Sequence, residues 1–343
     1  MVSIVLVTYN RASRLKLSIQ DILRQTFRDF ELIICDDCST DTTKAVCEEF
    51  QKRDPRITYY RHPSNIAMPA NCNFGIQMAR FDYIAILHDG DRFKPDLIEQ
   101  WYTAISKHDV GFVFNSIGET DAQDNLVSAN CYHAFPEGVV QKDLLLKKTF
   151  FRRWQFDSPV YGQAMVKKEL VEQMGLLNSR FGFYADVDLW MELLHSHDAY
   201  CCLDTLITTP TKDIQPRLFD DNLINFFLLM FSMHLKHRKK AYAGQPVKLG
   251  IEMTILWIQS LFNVTYRLLL VVKNFSLGSF LDAGTRLKRN ALFLIPWTVI
   301  FLLYPVLYPI LKLFTIIKQN FRKRAGENPE PSPLNDYSRN ASI

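Results

Sequence analysis

From Val2 to about Val113 short apolar runs alternate with amphipathic stretches, the pattern of βα units built around a largely parallel sheet. Val2–Thr8 reads as a buried strand, and Leu15, Ile19, Ile22 and Leu23 then recur at helical spacing. Phe30–Cys35 is a second strand, followed by a helix from about Asp41 to Gln51. Ile57–Tyr60 is a third strand and Ala70–Ala79 a helix; Tyr83–Leu87 is a fourth strand that runs into His88-Asp89-Gly90-Asp91. Polar groups sit just past three of these strands, as Thr8-Tyr9-Asn10, Asp36-Asp37 and Asp89-Gly90-Asp91. Open α/β sheets bind ligands beyond the carboxyl ends of their strands, so this placement predicts where the site lies.

The pattern loosens from Phe114 to about Thr211. A helix is expected over Lys167–Met174, stopped by Gly175, and Phe181–Asp188 leads into a helix over Leu189–Leu194. Beyond Asp213 the composition turns apolar: Leu223–Leu235, which ends in Lys236-His237-Arg238-Lys239-Lys240, then Met253–Tyr266, then the uncharged Ala291–Leu311. As a straight helix this last stretch would reach about 31 Å, enough for a bilayer core, but Pro296, Pro305 and Pro309 interrupt it. Arg286, Lys288 and Arg289 precede it and Lys318, Arg322, Lys323 and Arg324 follow, which puts both flanks on the cytoplasmic side. The expectation is peripheral or re-entrant attachment to the cytoplasmic membrane face, with Lys236–Lys240 adding attraction to anionic headgroups. The tail from Ala325, with Pro329, Pro331 and Pro333, is expected to be disordered. The expected division is 1–215, an α/β domain; 216–324, an apolar helical region; and 325–343, the tail.

Composition narrows the function classes. With 48% hydrophobic and 22% charged residues the chain is not disordered as a whole, and 25 Phe exceed what one soluble core needs. Forty Lys and Arg against 36 Asp and Glu leave a net charge of +4, too little to predict a nucleic-acid partner. Seven cysteines make no disulfide framework and no zinc spacing, which favours a reducing compartment. Met1 runs straight into the first strand without a basic lead-in, so no signal peptide is expected and the first domain is placed in the cytosol.

Two acidic motifs carry the candidate chemistry. In Asp89-Gly90-Asp91 the glycine lets the backbone turn so that both carboxylates can approach one hard divalent cation, which in turn can bind a diphosphate; the alternative is a solvated turn. Asp36-Asp37 can accept a hydrogen bond from a ring N–H or a ribose hydroxyl, or simply open the following helix as a cap. Cys35 and Cys38 also fit a Cys-x-x-Cys redox pair, but Cys35 continues the apolar strand instead of opening a helix.

Val2–Arg11, Gln25-Thr26-Phe27, Glu31–Asp41 and the strand ending in Asp89-Gly90-Asp91, taken in order, resemble family 2 glycosyltransferases with a GT-A fold over about residues 2–205. The resemblance implies a nucleotide-binding, mostly parallel sheet flanked by helices, followed here by the apolar helical C-terminal region. It implies that Thr8, Tyr9 and Arg11 lie along the nucleotide and that Asp36 or Asp37, preferably Asp37, faces the base. Asp89 and Asp91 become the ribose and metal–diphosphate carboxylates, with Mn²⁺ or Mg²⁺ as cofactor. In Ala185-Asp186-Val187-Asp188-Leu189-Trp190 the family's usual Glu is Ala185; Asp186 keeps the catalytic-base position, and Asp188 is placed with the substrate. Ala67 replaces a usual Gly, and Asn71-Cys72-Asn73 replaces Ala-Arg-Asn, which shifts donor contacts toward Arg11 or Arg92. Arg152-Arg153-Trp154 precedes Asp186 and lacks the Gln of processive synthases, which favours single-sugar transfer.

The implied function is inverting transfer from a nucleoside diphosphate sugar, with UDP the expected nucleotide, to a saccharide or lipid-linked saccharide in surface polysaccharide synthesis. An inactive nucleotide-sugar-binding or membrane assembly subunit is the rival, supported by Ala185 and Cys72 and opposed by Asp89, Asp91 and Asp186 together. A sugar nucleotidyltransferase would need a glycine-rich loop after the first strand, and Thr8–Ser13 has no glycine.

Overall fold

The computed structural model describes residues 1–121, 123, 125–130, 135–151, 162–210 and 221–273. The chain divides into two compact units, Met1–Arg217 with Asp221–Gln259, and Leu218–Asp220 with Ser260–Ile343. Of the second unit only 260–273, the end of a helix, is described. The uncharged segment Ala291–Leu311, its basic flanks and the tail 325–343 lie outside the described residues. Among the described residues no helix is long and apolar enough to cross a membrane.

The first unit is built on one ten-stranded sheet. Its strands are β1 (Val2–Thr8), β2 (Phe30–Asp36), β3 (Ile57–Arg61), β4 (Tyr83–His88), β5 (Arg92–Phe93), β6 (Phe112–Thr120), β7 (Leu126–Asn130), β8 (Gly138–Val140), β9 (Ala164–Lys167) and β10 (Ala199–Pro210). They lie in the order β3-β2-β1-β4-β9-β6-β10-β5, with β7 added to β6 and β8 to β10. Strands β1 to β4 are mutually parallel, as are β6 and β10, while β9 runs antiparallel between β4 and β6. The helices are α1 (Ala12–Leu23), α2 (Thr43–Arg53), α3 (Met68–Met78), α4 (Leu97–Lys107), α5 (Lys142–Phe151), α6 (Lys168–Gln173), α7 (Ala185–Leu193), α8 (Asp221–Ala241) and α9 (Pro246–Lys273), with a 3₁₀ segment over Ser179–Tyr184 just before α7.

Side chains alternate across a strand, so β1 and β2 feed two cores. Ile4, Leu6, Leu32 and Ile34 pack with Leu15, Ile19 and Ile22 of α1, Phe50 of α2 and Trp101 of α4. Val5, Val7, Ile33 and Cys35 face the other way, onto Ile76 of α3 and Leu189 and Trp190 of α7. Each such Ile or Leu contributes about 1.5–3 kcal/mol by leaving water, and the continuous apolar runs follow because both faces of the sheet are covered. At Gly75 a Cβ would stand 2.5 Å from Val5 Cγ1 and 2.9 Å from Cys35 Sγ, so α3 lies with its backbone against the sheet. Cys72 on the same helix is buried in this core, and its burial pushes the thiol pKa up, as it does for Cys35, to about 12 in the latter case.

The middle of the chain is more regular than its pattern predicts. β6 buries polar Asn115 and Ser116 among its apolar residues, and β10 shifts register between Cys202 and Thr205 and again between Thr205 and Ile207. Both features erase the period of two on which a strand is read.

The basic run at the end of α8 makes several contacts inside the protein. Lys236 pairs with Asp188 and Glu192, His237 and Arg238 are fully buried, and Lys240 pairs with Glu192. Glu192, which burial would raise, is pulled down to about 2 by the two ammonium groups. His237 lies 2.8 Å from Asp188 Oδ1 and stacks on His195, whose pKa burial depresses to about 4. Lys236, His237 and Lys240 tie α8 to α7, while Arg238 turns to Phe150 of α5 and Glu252 of α9.

Candidate active site

Three strand ends converge on one corner of the sheet. β1 lies between β2 and β4 in parallel register, with Thr8 opposite Asp36 and Val7 opposite His88. The loops that follow are cross-braced. Asp41 accepts from the backbone N–H of Ala12 (3.1 Å) and of Thr43 (3.0 Å), joining the starts of α1 and α2. Asn10, at φ 51°, accepts from the Thr40 N–H at 2.7 Å.

Asp89 is buried at the tip of β4. The Thr8 hydroxyl donates to its Oδ2 (2.7 Å) and the Arg11 guanidinium to its Oδ1 (3.2 Å). Burial raises its pKa, against the pull of Thr8 and Arg11. Gly90 adopts φ +88°, a conformation that disfavours any side chain, and this turn carries the chain from Asp89 to Asp91. Buried Ser18 of α1 pins the turn: its hydroxyl accepts from Gly90 N–H (3.1 Å) and donates to the Asp91 carbonyl (2.8 Å). Gln163, entering β9, donates to Asp91 Oδ2 (2.6 Å) and accepts from the His88 N–H (3.2 Å).

On the β2 side Asp36 is committed inside the protein, accepting from the Ser39 N–H (2.8 Å) and the Tyr59 hydroxyl (2.7 Å). Asp37 braces the next loop by accepting from Ile66 N–H (2.6 Å), and burial raises its pKa against the Ile66 N–H and His62. Tyr9 and Arg11 are exposed beside it. Of the two arginines expected to take over donor contacts, Arg92 forms a two-pronged pair with Asp21, so Arg11 alone stands at the corner. Asn71 and Asn73 tie α3 to the Cys35 carbonyl and to Leu177.

Asp186 opens α7 from the opposite side. Its carboxylate Oδ2 lies 4.0 Å from His88 Nε2, and Gly162 passes so close that a Cβ there would sit 2.7 Å from that oxygen. Burial raises its pKa to about 7, with the Val187 N–H pulling the other way. The structure thus brings Asp186 to the end of β4, where Asp89 and Asp91 project. Asp188, which the resemblance places with the substrate, is engaged inside the protein: Lys236 reaches both of its oxygens (2.9 Å each) and His237 one of them, so it faces α8.

Among the described residues no three His, Cys, Asp or Glu side chains form a metal cage. Two carboxylates on one glycine turn still suit a hard cation that completes its shell with substrate phosphates and water.

Ser18, His88 and Gln163 escape sequence reasoning. They carry no motif, and only the pairing of β4 with β9 brings Gln163 to Asp91.

Residues 3–175 match the model of the family described as Glycosyl transferase family 2. The chain belongs to this family. A family relative, the glycosyltransferase GlyG of Streptococcus pneumoniae serotype 4, is 26% identical over 187 residues, 52% of this chain and 61% of GlyG. The GalNAc(5)-diNAcBac-PP-undecaprenol β-1,3-glucosyltransferase of Campylobacter jejuni is 29% identical over 205 residues, 58% of this chain and 61% of that protein. The chain thus spans about three fifths of the length of these curated relatives. The structure of Staphylococcus aureus TarS 1-349 in complex with UDP shares the fold, with a TM-score of 0.59 at 14% identity, covering 81% of this chain and 76% of that one.

Where the family usually has Gly, Ala67 adopts φ 68° and ψ 155°, a region that belongs almost wholly to glycine. Ala67→Gly should therefore raise stability by about 1 kcal/mol, the relief of strain outweighing the added freedom of the unfolded chain. A higher urea midpoint at unchanged slope is the expected reading, and a lower one would mean the position is unstrained.

Proposed function

We propose that this chain is an inverting glycosyltransferase that moves one sugar from a nucleoside diphosphate donor to a hydroxyl of a saccharide or lipid-linked saccharide. The observation that carries the reading is Asp186, a buried carboxyl with its pKa near neutrality, 4.0 Å from the His88 imidazole at the strand end that displays Asp89 and Asp91. A base of that strength can take a hydroxyl proton as the oxygen attacks and still release it in the next cycle. The acceptor oxygen forms its bond to the anomeric carbon, the bond from that carbon to the diphosphate oxygen breaks, and the proton passes to Asp186.

Asp89 and Asp91 would hold a divalent cation, Mn²⁺ or Mg²⁺, which supplies charge neutralisation to the leaving diphosphate. Thr8 and Arg11 fix the Asp89 carboxylate, and the exposed Arg11 guanidinium adds positive charge at the same corner. Asp37 serves the base and Tyr9 lines the nucleotide. UDP in the TarS complex supports the choice of a uridine donor. The Campylobacter relative's undecaprenol-linked saccharide supports a lipid-linked acceptor.

Titration of UDP with and without Mn²⁺ tests the donor half. Asp91→Asn keeps the shape and removes the charge a divalent cation requires, so it should abolish the gain in UDP affinity that Mn²⁺ confers on the native chain. A mutant with the native metal response would show that the cation is held elsewhere. Hydrolysis of a panel of nucleotide sugars without acceptor then identifies the donor.

A further inference from the structure

Asp89 has its holders on β1 and in the loop after it, Thr8 and Arg11. Asp91, the other carboxylate of the turn, is met from the strand that enters the sheet in the opposite direction. The residue that meets it is Gln163, buried at 5% exposure and placed immediately before β9.

The end of the β4–β9 ladder explains why a side chain reaches across at this point. The antiparallel register runs from Tyr83 opposite Lys167 to Ile86 opposite Ala164 and stops there. Two residues further along β4 the His88 N–H still needs an acceptor, and Gln163 Oε1 supplies it at 3.2 Å. The chemistry at both ends fixes which way the carboxamide points. A backbone N–H only donates and an ionised carboxylate only accepts, so Oε1 faces His88 while Nε2 donates to Asp91 Oδ2 at 2.6 Å. One neutral side chain thus ties the Asp91 carboxylate to the backbone of β4.

The place of Gln163 is set by the residue before it. At Gly162, φ +38°, a Cβ would stand 2.4 Å from His88 Cε1 and 2.7 Å from Asp186 Oδ2, so the chain passes tightly between these groups on its way into β9. From α1, Ser18 clasps the same turn through the Gly90 N–H and the Asp91 carbonyl. Ser18 therefore fixes the main chain of the turn and Gln163 fixes the carboxylate.

We infer that Gln163 is a positioning residue for the divalent cation, presetting the Asp91 carboxylate before the metal and the diphosphate arrive. The inference rests on the reading of Asp89 and Asp91 as the cation's carboxylates. A carboxylate that is already hydrogen-bonded loses less freedom when it takes a metal, and partners of this kind change metal affinity by about ten- to a hundred-fold. An amide suits the task because it orients the Asp91 charge without cancelling it, as a lysine or arginine would.

Calorimetric titration of Mn²⁺ into the full chain with UDP present, and of UDP into the metal-free chain, tests this on native protein, Gln163→Met and Gln163→Leu. Both substitutions fill most of the volume and remove both hydrogen bonds. Each variant should bind Mn²⁺ about ten-fold or more weakly in the presence of UDP, while UDP affinity without metal stays native. The melting temperature should fall in both, since the His88 N–H loses its acceptor. A purely structural role would lower the melting temperature and leave Mn²⁺ affinity at the native value, and that result in either variant overturns the inference. So does a loss of metal-free UDP affinity as large as the loss with metal, which marks disruption of the whole corner. A native chain that binds UDP without any response to Mn²⁺ would instead sink the reading of Asp89 and Asp91, and the positioning role with it.

Discussion

Asp186→Asn should lower sugar transfer by roughly 10²-fold or more while leaving UDP affinity within a factor of about two, because a general base acts in the transition state and contributes little to the ground state. In the native enzyme the rate should climb with pH through about 7, where burial sets the Asp186 pKa, since only the carboxylate can accept a proton. Stability should run the other way. The folded pKa lies above the unfolded one, so the native state holds a proton that the unfolded chain has lost between the ordinary carboxylate range and about 7. Native stability thus falls across that window, and the Asn variant, which lacks the term, should gain relative to native protein as pH rises to 7 and keep the gain above it. A carboxylate kept for its charge against the N-terminal end of α7 would give the opposite result, with Asn less stable at neutral pH. Thermal melts at pH 5 and pH 8, paired with rates at saturating donor, separate the two roles.

Arg238→Met should cost about 3–5 kcal/mol, the largest loss of stability expected from any single change considered. Arg238 is completely buried. It donates to the Phe150 carbonyl (3.0 Å), Gln259 Oε1 (2.9 Å) and Glu252 Oε2 (3.4 Å), and its guanidinium carbon lies 4.5 Å from the centre of the Phe150 ring. His234 is kept neutral by burial and by this cation, and its Nδ1 lies 3.2 Å from the guanidinium. Methionine fills much of the volume but strands Glu252, which is 8% exposed, as a buried charge without its partner. Arg238→Met with Glu252→Leu should recover most of the loss, because an apolar pair removes both desolvated charges. The melting temperature reads the difference. If the double variant is no better than the single, the pair does not carry the effect and packing around Phe150 does.

The alternation over Val2–Leu87 is enough to place the first four strands and the acidic groups at their ends, because both faces of that sheet are buried and turns interrupt the apolar runs cleanly. The helix α4 is not among the expected elements, although Leu97, Ile98, Trp101 and Ile105 recur at helical spacing. β8 and β9, with 3 and 4 residues, are too short to show a period, and β10 loses its period at its bulges. In the site, Asp89, Asp91 and Asp186 announce themselves through motif and resemblance. Asp188 looks equivalent to Asp186 in sequence and is not, because its carboxylate faces α8 and there meets Lys236, 48 residues away. In the basic run, Lys236, Arg238 and Lys240 likewise meet carboxylates that the sequence does not reveal as their partners.

The antiparallel entry of β9 between β4 and β6 has a consequence for how the protein is made. Until Ala164–Lys167 has been synthesised, β4 has β1 on one side and an open row of backbone N–H and C=O groups on the other. The nascent chain therefore presents a hydrophobic sheet edge, Ile84-Ala85-Ile86, for the whole time that residues 89 to 163 are leaving the ribosome. The strand that closes this edge is the one that Gln163 leads into, so the hydrogen bond onto Asp91 forms only when the edge is sealed. Completion of the donor corner and protection from strand-to-strand aggregation are thereby a single folding event.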